Sequence, residues 1–312
     1  MDEFALIRHY FGTAAAAPGV VLGVGDDGAI LEPTPGCQVV MSLDTLVAGR
    51  HFPDDFPAAD IGWRSLAVNL SDLAAMGADP RWCLLSLSLP AVERDWLNGF
   101  MDGFSALAQQ AGIALVGGDT VRGPLSITVQ VSGEVPRGQA LRRQGAQPGD
   151  RICMVGCPGE AAAGLLAWQQ GWHEAPVVAR FCRPQPQLEL GRALRGRASA
   201  CIDVSDGLLA DLDHILTASG VGATLALTAL PRSPVLKDWQ QRCGEVPLSL
   251  QLSGGDDYLL LFTLPPAQPL PDGAQVLGVI DAEPGLRLRD ASGRLLPVLP
   301  QGWNHFSESN DD

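Results

Sequence analysis

Six short aspartate motifs punctuate the 312 residues, each set among glycines or small residues: GVGDDGA at 23–29, SLDT at 42–45, NLSDLAAMG at 69–77, GGDT at 117–120, DVSDG at 203–207 and SGGDDY at 253–258. Aspartate and glycine favour turns and caps over element interiors, so any fold of this chain must present several carboxylates on loops. Lys237 is the only lysine, and there is no G-x-x-x-x-G-K-[ST] segment. A phosphate-handling site here would therefore lack the P-loop lysine, and divalent cations would have to carry the positive charge.

A chain of 312 residues exceeds the size at which one core stops growing, which predicts two domains. The turn-forming stretch from Pro136-Arg137-Gly138 to Gln147-Pro148-Gly149-Asp150 sets the expected boundary, with one domain over 1–137 and the other over 148–312. With 46% hydrophobic and 18% charged residues the composition is that of a globular protein, and no apolar run nears the ~20 residues of a membrane span. The opening MDEFALIRHYFG lacks the basic, apolar and small-residue order of an export signal. Seven cysteines form an odd set without a C-x-x-C pair, which predicts free thiols in a reducing cytoplasm. A formal charge of −14 repels nucleic acid, and it would repel a nucleotide triphosphate too unless cations bind first.

Before the boundary, apolar runs at 38–43 and 82–89 and the alternating LSITVQVSG at 125–133 read as strands. Residues 60–76 place Trp63, Leu66, Ala67, Leu70, Leu73 and Ala74 on one helical stripe, with Ser65, Asn69, Asp72 and Met76 on the opposite side. A second helix is predicted at about 93–110, ending at Gly112. Beyond the boundary, RICMVG then GEAAAGLLAWQQG reads as strand, turn and helix. ASACIDVSDGLLADLDHILTASG repeats the pattern, with Ser205 and Asp206 as N-cap candidates ahead of an apolar stripe of Leu208, Leu209, Leu212, Ile215 and Leu216. Strands alternating with helices predict an α/β layer.

Adjacent acids such as Asp26–Asp27 and Asp256–Asp257 raise one another's pKa unless a cation or a donor relieves them. Magnesium takes only one or two protein carboxylates and completes its shell with water and phosphate, so scattered aspartates suit several ions around a polyphosphate. Calcium is the rival cation, but the EF-hand pattern is absent.

Taken in order, EFALI, GDDGAIL, DTLVAGRHF, WRSLAVNLSDLAAMGADP, GGDTVRGPLS, ALRRQGAQPGD, DVSDGL, SGGDDY and GWNHF resemble the thiamine-monophosphate kinase family of the aminoimidazole ribonucleotide synthetase superfamily. The resemblance implies a two-domain α/β (α+β) fold. Its N-terminal mixed sheet with helices would bind ATP and Mg²⁺ and pair in a homodimer, and its layered C-terminal α/β domain would close the active site. The alternating strand at 125–133 offers an edge for that pairing. By matching position, Asp27, Ser42, Leu43, Asp44, Asp72, Asp119, Asp203 and Asp206 are the implied magnesium ligands, Leu43 through its carbonyl. Gly118, Asp119, Arg143 and Ser205 are the implied ATP contacts, and His51, Asp256 and Trp303 the implied thiamine-phosphate contacts. Leu43 and Asp256 depart from the family pattern, which has a polar residue and a glutamate there.

The implied reaction is ATP plus thiamine monophosphate giving ADP plus thiamine diphosphate, by direct in-line transfer with Asp44, Asp72 and Asp119 holding ions against the phosphates. An acceptor phosphate with a second pKa of about 6 is already ionised at neutral pH, so no general base is required. The alternatives are another ATP-dependent member of the superfamily or a silent nucleotide or metal sensor. A selenophosphate-synthetase-like chemistry would call for a cysteine and a lysine ahead of GVGDD, and neither occurs there.

Overall fold

The computed structural model describes residue 10, residues 17–244 and residues 247–298. Two compact units divide the chain, Met1–Ala140 and Leu141–Asp312. In the first, a short antiparallel pair, β1 (Val20–Leu22) and β2 (Ile30–Leu31), precedes β3 (Cys37–Val47), α1 (Ala58–Ala75), β4 (Asp79–Leu89), α2 (Arg94–Ala111), β5 (Ala114–Arg122) and β6 (Ser126–Pro136). The last four strands form one sheet in the order β3-β6-β4-β5, parallel between β4 and β5 and antiparallel elsewhere.

β6 lies inside this sheet, so the strand expected at 125–133 is not an edge. Its period-2 alternation is that of a strand with one covered and one open face, a pattern interior and edge strands share. The edges are β3 and β5. On the open face Met41 is 66% and Leu43 57% exposed, and Val39 and Leu84 are exposed beside them.

α1 packs on β3 and β6 and also against α2. Its two sides are therefore both covered, and Ser65 and Asn69, expected opposite the apolar stripe, are as buried as Leu66 and Leu70. Ser65 Oγ donates to Gly62 O at 3.0 Å and Asn69 Nδ2 to Ser65 O at 3.0 Å, so the polar side is satisfied within the helix as well as by the sheet. α1 and α2 cross backbone to backbone: a Cβ on Gly103 would sit 1.8 Å from Ala59 O. The helix predicted at 93–110 ends at Gly112 in the left-handed region.

The second unit runs β7 (Arg151–Val155), α3 (Glu160–Gln169), α4 (Val178–Cys182), α5 (Leu188–Leu194), β8 (Ala200–Asp203), α6 (Leu208–Ser219) and β9 (Gly222–Ala226). A 3₁₀ turn, α7 (Pro234–Cys243), α8 (Leu248–Ser253), β10 (Leu260–Leu264), β11 (Ala274–Asp281), β12 (Gly285–Arg289) and β13 (Leu295–Pro297) follow. The strands form one seven-stranded sheet, ordered β13-β12-β9-β11-β7-β10-β8. Strand and helix alternate as expected, yet pairing is antiparallel except between β9 and β12. β10 inserts between β7 and β8, which run the same way on either side of it. Ile152, Met154, Ile202, Leu212, Ile215, Leu261 and Leu277 build the core between sheet and helices. Among the described residues, no helix is long and apolar enough to cross a membrane.

Candidate functional site

Strand alternation turns Ser42 and Asp44 of β3 toward α1 and leaves the Leu43 side chain on the open face. There Ser42 Oγ donates to Asp72 Oδ2 at 2.5 Å, and Asn69 Oδ1 accepts from Asp44 N at 2.8 Å. Asn69 and Asp72, at i and i+3 on α1, thus register the helix on the strand and collect Ser42, Asp44 and Asp72 in one cluster. Asn69 was not among the expected site residues, although it stands in the same NLSD motif. Both ends of its buried amide serve to position the cluster.

Asp119 is not in that cluster. It lies on β5 level with Ser86 of β4, at the far edge of the sheet from β3. Three strand spacings, roughly 14 Å, separate the Asp44 and Asp119 backbones. Gly118 crosses Leu85 so closely that a Cβ would meet Leu85 O at 1.8 Å. Asp27 stands exposed in the turn between β1 and β2, its N–H held by the Asp26 carboxylate at 2.8 Å. His51, just past β3, accepts from Val47 N through Nδ1 at 3.0 Å, which leaves Nε2 to carry the proton of the neutral ring.

In the second unit two of the motifs clasp each other. Asp256 N donates to Ser205 O at 2.8 Å and Tyr258 N to Val204 O at 2.8 Å. Gly255 crosses so tightly that a Cβ would fall 2.3 Å from Ser205 O. Asp256 and Tyr258 take positive φ, 67° and 51°, a conformation that a bulky residue adopts only where its surroundings impose it. Tyr258 Oη donates to Asp256 Oδ1 at 3.1 Å and steadies that carboxylate.

The expected N-cap of α6 is corrected by the structure. Gly207 occupies the cap position, and neither Ser205 nor Asp206 caps with its side chain. Asp211, in the first turn, caps the helix instead, because its Oδ2 accepts from Ser205 N, Asp206 N and Gly207 N at 3.1, 3.0 and 3.1 Å. Burial pushes the Asp211 carboxyl up to about 7, aided by the Asp206 charge and opposed by the three N–H groups. Asp206, Asp211 and His214 can each offer one ligand atom within 4.8 Å of the others. Asp211 and His214 were missed in the sequence, where the i, i+3 pair in LADLDH was the available signal. Asp203 is buried at the end of β8.

Asp257 caps the other helix of the clasp. Its Oδ2 accepts from Gly159 N at 2.6 Å and its Oδ1 from Ala161 N at 3.1 Å, at the start of α3. Burial pushes its carboxyl up to about 8, against the pull of those two N–H groups. Arg143 has an exposed side chain, and its carbonyl accepts from Ser219 Oγ at 3.3 Å. Ser219 ends the helix that Ser205 precedes, so the two expected ATP contacts are anchored about 18 Å apart along α6. Trp303 lies outside the described residues.

Residues 25–135 match the AIR synthase related protein N-terminal domain, and residues 147–290 match the C-terminal domain of the same proteins. Fold and aspartate loops together define a two-domain AIR synthase related protein. Thiamine-monophosphate kinase of Salmonella typhimurium is 46% identical over 270 residues, 84% of this chain and 82% of that protein. A crystal structure of thiamine-monophosphate kinase from Stenotrophomonas maltophilia K279a superposes with a TM-score of 0.85 at 44% identity, over 95% of this chain and 98% of that one. The structure of AaThiL complexed with AMPPCP and TMP superposes with a TM-score of 0.81 at 29% identity, over 97% and 96%. The chain belongs to the thiamine-monophosphate kinase family.

Because the Asp257 carboxyl titrates higher in the fold than in the unfolded chain, the folded state binds the extra proton between those two pKa values. The carboxyl's contribution to stability therefore falls as pH rises from about 4 to about 8. Asp257→Asn cannot titrate and should lower stability at every pH, since its amide nitrogen faces an N–H donor, while flattening this slope. Thermal melts of both proteins at pH 5, 6, 7 and 8 check it: parallel curves would show that Asp257 is ionised throughout.

Proposed function

We propose that the protein transfers the γ-phosphoryl group of ATP to thiamine monophosphate, giving ADP and thiamine diphosphate. The likeness over nearly the whole chain to AaThiL complexed with AMPPCP and TMP is the observation that carries this reading. We also propose the cytoplasm as its location, in keeping with seven free cysteines.

The acceptor is an ionised phosphate monoester, so the obstacle is repulsion between two anions rather than removal of a proton. Ser42, Asp44, Asp72, Asp203 and Asp206 offer oxygen donors, which fit the hard cation Mg²⁺, with His214 adding a nitrogen beside Asp206. Bound magnesium would supply the positive charge that offsets phosphate repulsion. In this reading Asp27, Ser42, the Leu43 carbonyl, Asp44, Asp72, Asp119, Asp203 and Asp206 hold several such ions. Gly118, with Asp119 beside it, lets the nucleotide approach the backbone, Ser205 and Arg143 contact ATP, and His51, Asp256 and Trp303 orient the thiamine phosphate. His51 presents Nε2–H as a donor, because Nδ1 is engaged. Asp256, one methylene shorter than glutamate, reaches substrate through water, held meanwhile by Tyr258.

The N-terminal unit is the proposed dimerisation unit. Its four-stranded sheet is covered by helices on one face and shows Val39, Met41, Leu43 and Leu84 on the other, an apolar patch suited to a second copy.

ADP release should rise with thiamine monophosphate, stay at background with free thiamine, and vanish on chelation of magnesium. Stimulation by thiamine alone would make the protein an alcohol kinase, and no stimulation would make it a sensor. Asp72→Asn keeps an acceptor for Ser42 Oγ, so its melting temperature should hold while turnover drops about 100-fold or more; near-normal turnover at saturating magnesium would remove Asp72 from the site. Met41→Asp should shift the sedimenting species from dimer to monomer, and an unchanged dimer would place the interface elsewhere.

A further inference from the structure

A cavity of about 600 Å³ opens beside Asp257, in the second unit, and none of its walls comes from the aspartate loop at 203–206. Three guanidinium groups line it: Arg180 on α4, Arg183 just after that helix, and Arg232 just ahead of α7. Two carboxylates share the wall, and the structure gives each a partner. Glu160 Oε2 meets Arg180 Nε at 3.0 Å, and Asp257 accepts the two N–H groups at the start of α3. The cavity is thus formally positive, three arginines against two acids, on a chain whose total is −14.

The rest of the lining is stiff and partly apolar. Pro184, Pro186, Pro231 and Pro234 fix the course of the two loops that carry Arg183 and Arg232, and Leu259 adds an apolar surface. Cys157 Sγ also lines the wall but donates to Pro231 O at 3.1 Å, and burial pushes its thiol up to about 11, so it is not a nucleophile. A volume of 600 Å³ lies within the roughly 300–1,000 Å³ typical of small-molecule sites and exceeds what a lone inorganic anion fills.

We propose that this cavity is a second ligand site, separate from the metal-binding aspartate loops, which takes a phosphorylated small molecule with its phosphate on Arg183 and Arg232 and its organic body against Leu259 and the prolines. Guanidinium forks bind phosphate bidentately and need no metal, in contrast to carboxylate loops. Asp257 connects the two regions: its side chain forms cavity wall while its neighbour Asp256 belongs to the clasp with Ser205. Occupancy of the cavity would therefore stiffen the clasp.

The contrast in metal dependence supplies the test. Full-length protein in EDTA at low salt is titrated by calorimetry with inorganic phosphate, pyrophosphate and thiamine diphosphate, alongside Arg183→Gln, Arg232→Gln and the double variant. Saturable binding without metal is expected, tighter for thiamine diphosphate than for pyrophosphate, and weakened about ten-fold or more in the double variant. Arg232 is exposed, so its single variant should keep both the melting temperature and the basal turnover with magnesium while losing part of the affinity. No saturable binding in EDTA, binding indifferent to both arginines, or pyrophosphate bound as tightly as the organic diphosphate would each overturn the proposal. Because the binding arms are read in EDTA, without phosphoryl transfer, their outcome is independent of the proposed kinase activity.

Discussion

Two carboxylates that accept backbone N–H groups, buried Asp211 and half-buried Asp257, hold the second unit in its working shape. Asp211 gathers the amides of Ser205, Asp206 and Gly207, and Asp257 gathers those of Gly159 and Ala161. Each sits at a helix start, where unsatisfied N–H groups and the helix dipole favour negative charge. Burial works in the opposite direction and raises both carboxyls, so the N–H groups compete with desolvation for the ionised form. These two acids fix the helix starts next to the loops bearing Asp206 and Asp256, and the clasp bonds between Asp256 and Ser205 and between Tyr258 and Val204 join the loops to each other. Asp206 and Asp256 are half-buried, and the backbone N–H groups at the helix starts go to their neighbours Asp211 and Asp257.

That division of labour explains what was legible in the sequence. Elements with strong periodicity were readable: the α6 stripe of Leu208, Leu212 and Ile215, the glycine end of α2 at Gly112, and the alternation of β6. Motif order carried the family, and with it the fold. Three things were hidden for physical reasons. Asp211 looks like any exposed helix acid, since only the fold shows three amides converging on it. The polar side of α1 looked solvent-facing because periodicity registers one apolar stripe and cannot see a helix covered on both sides. The interior place of β6 follows from chain order in the sheet, which alternation does not encode.

The first unit raises a different point about charge. Ser42, Asp44 and Asp72 are drawn together by α1 lying on β3, whereas Asp119 occupies the opposite edge of the same sheet. A single ion with ligand distances near 2 Å cannot span a separation of about 14 Å. If all four residues serve one polyphosphate, they must do so through separate ions, or through contributions from two copies of the sheet. Closed cages suit structural metals, while dispersed single carboxylates suit ions that arrive with their substrate and share its oxygens. A chain with one lysine and a charge of −14 suits the second arrangement, because its net negative field opposes a bare polyphosphate and a cation complex lowers that repulsion.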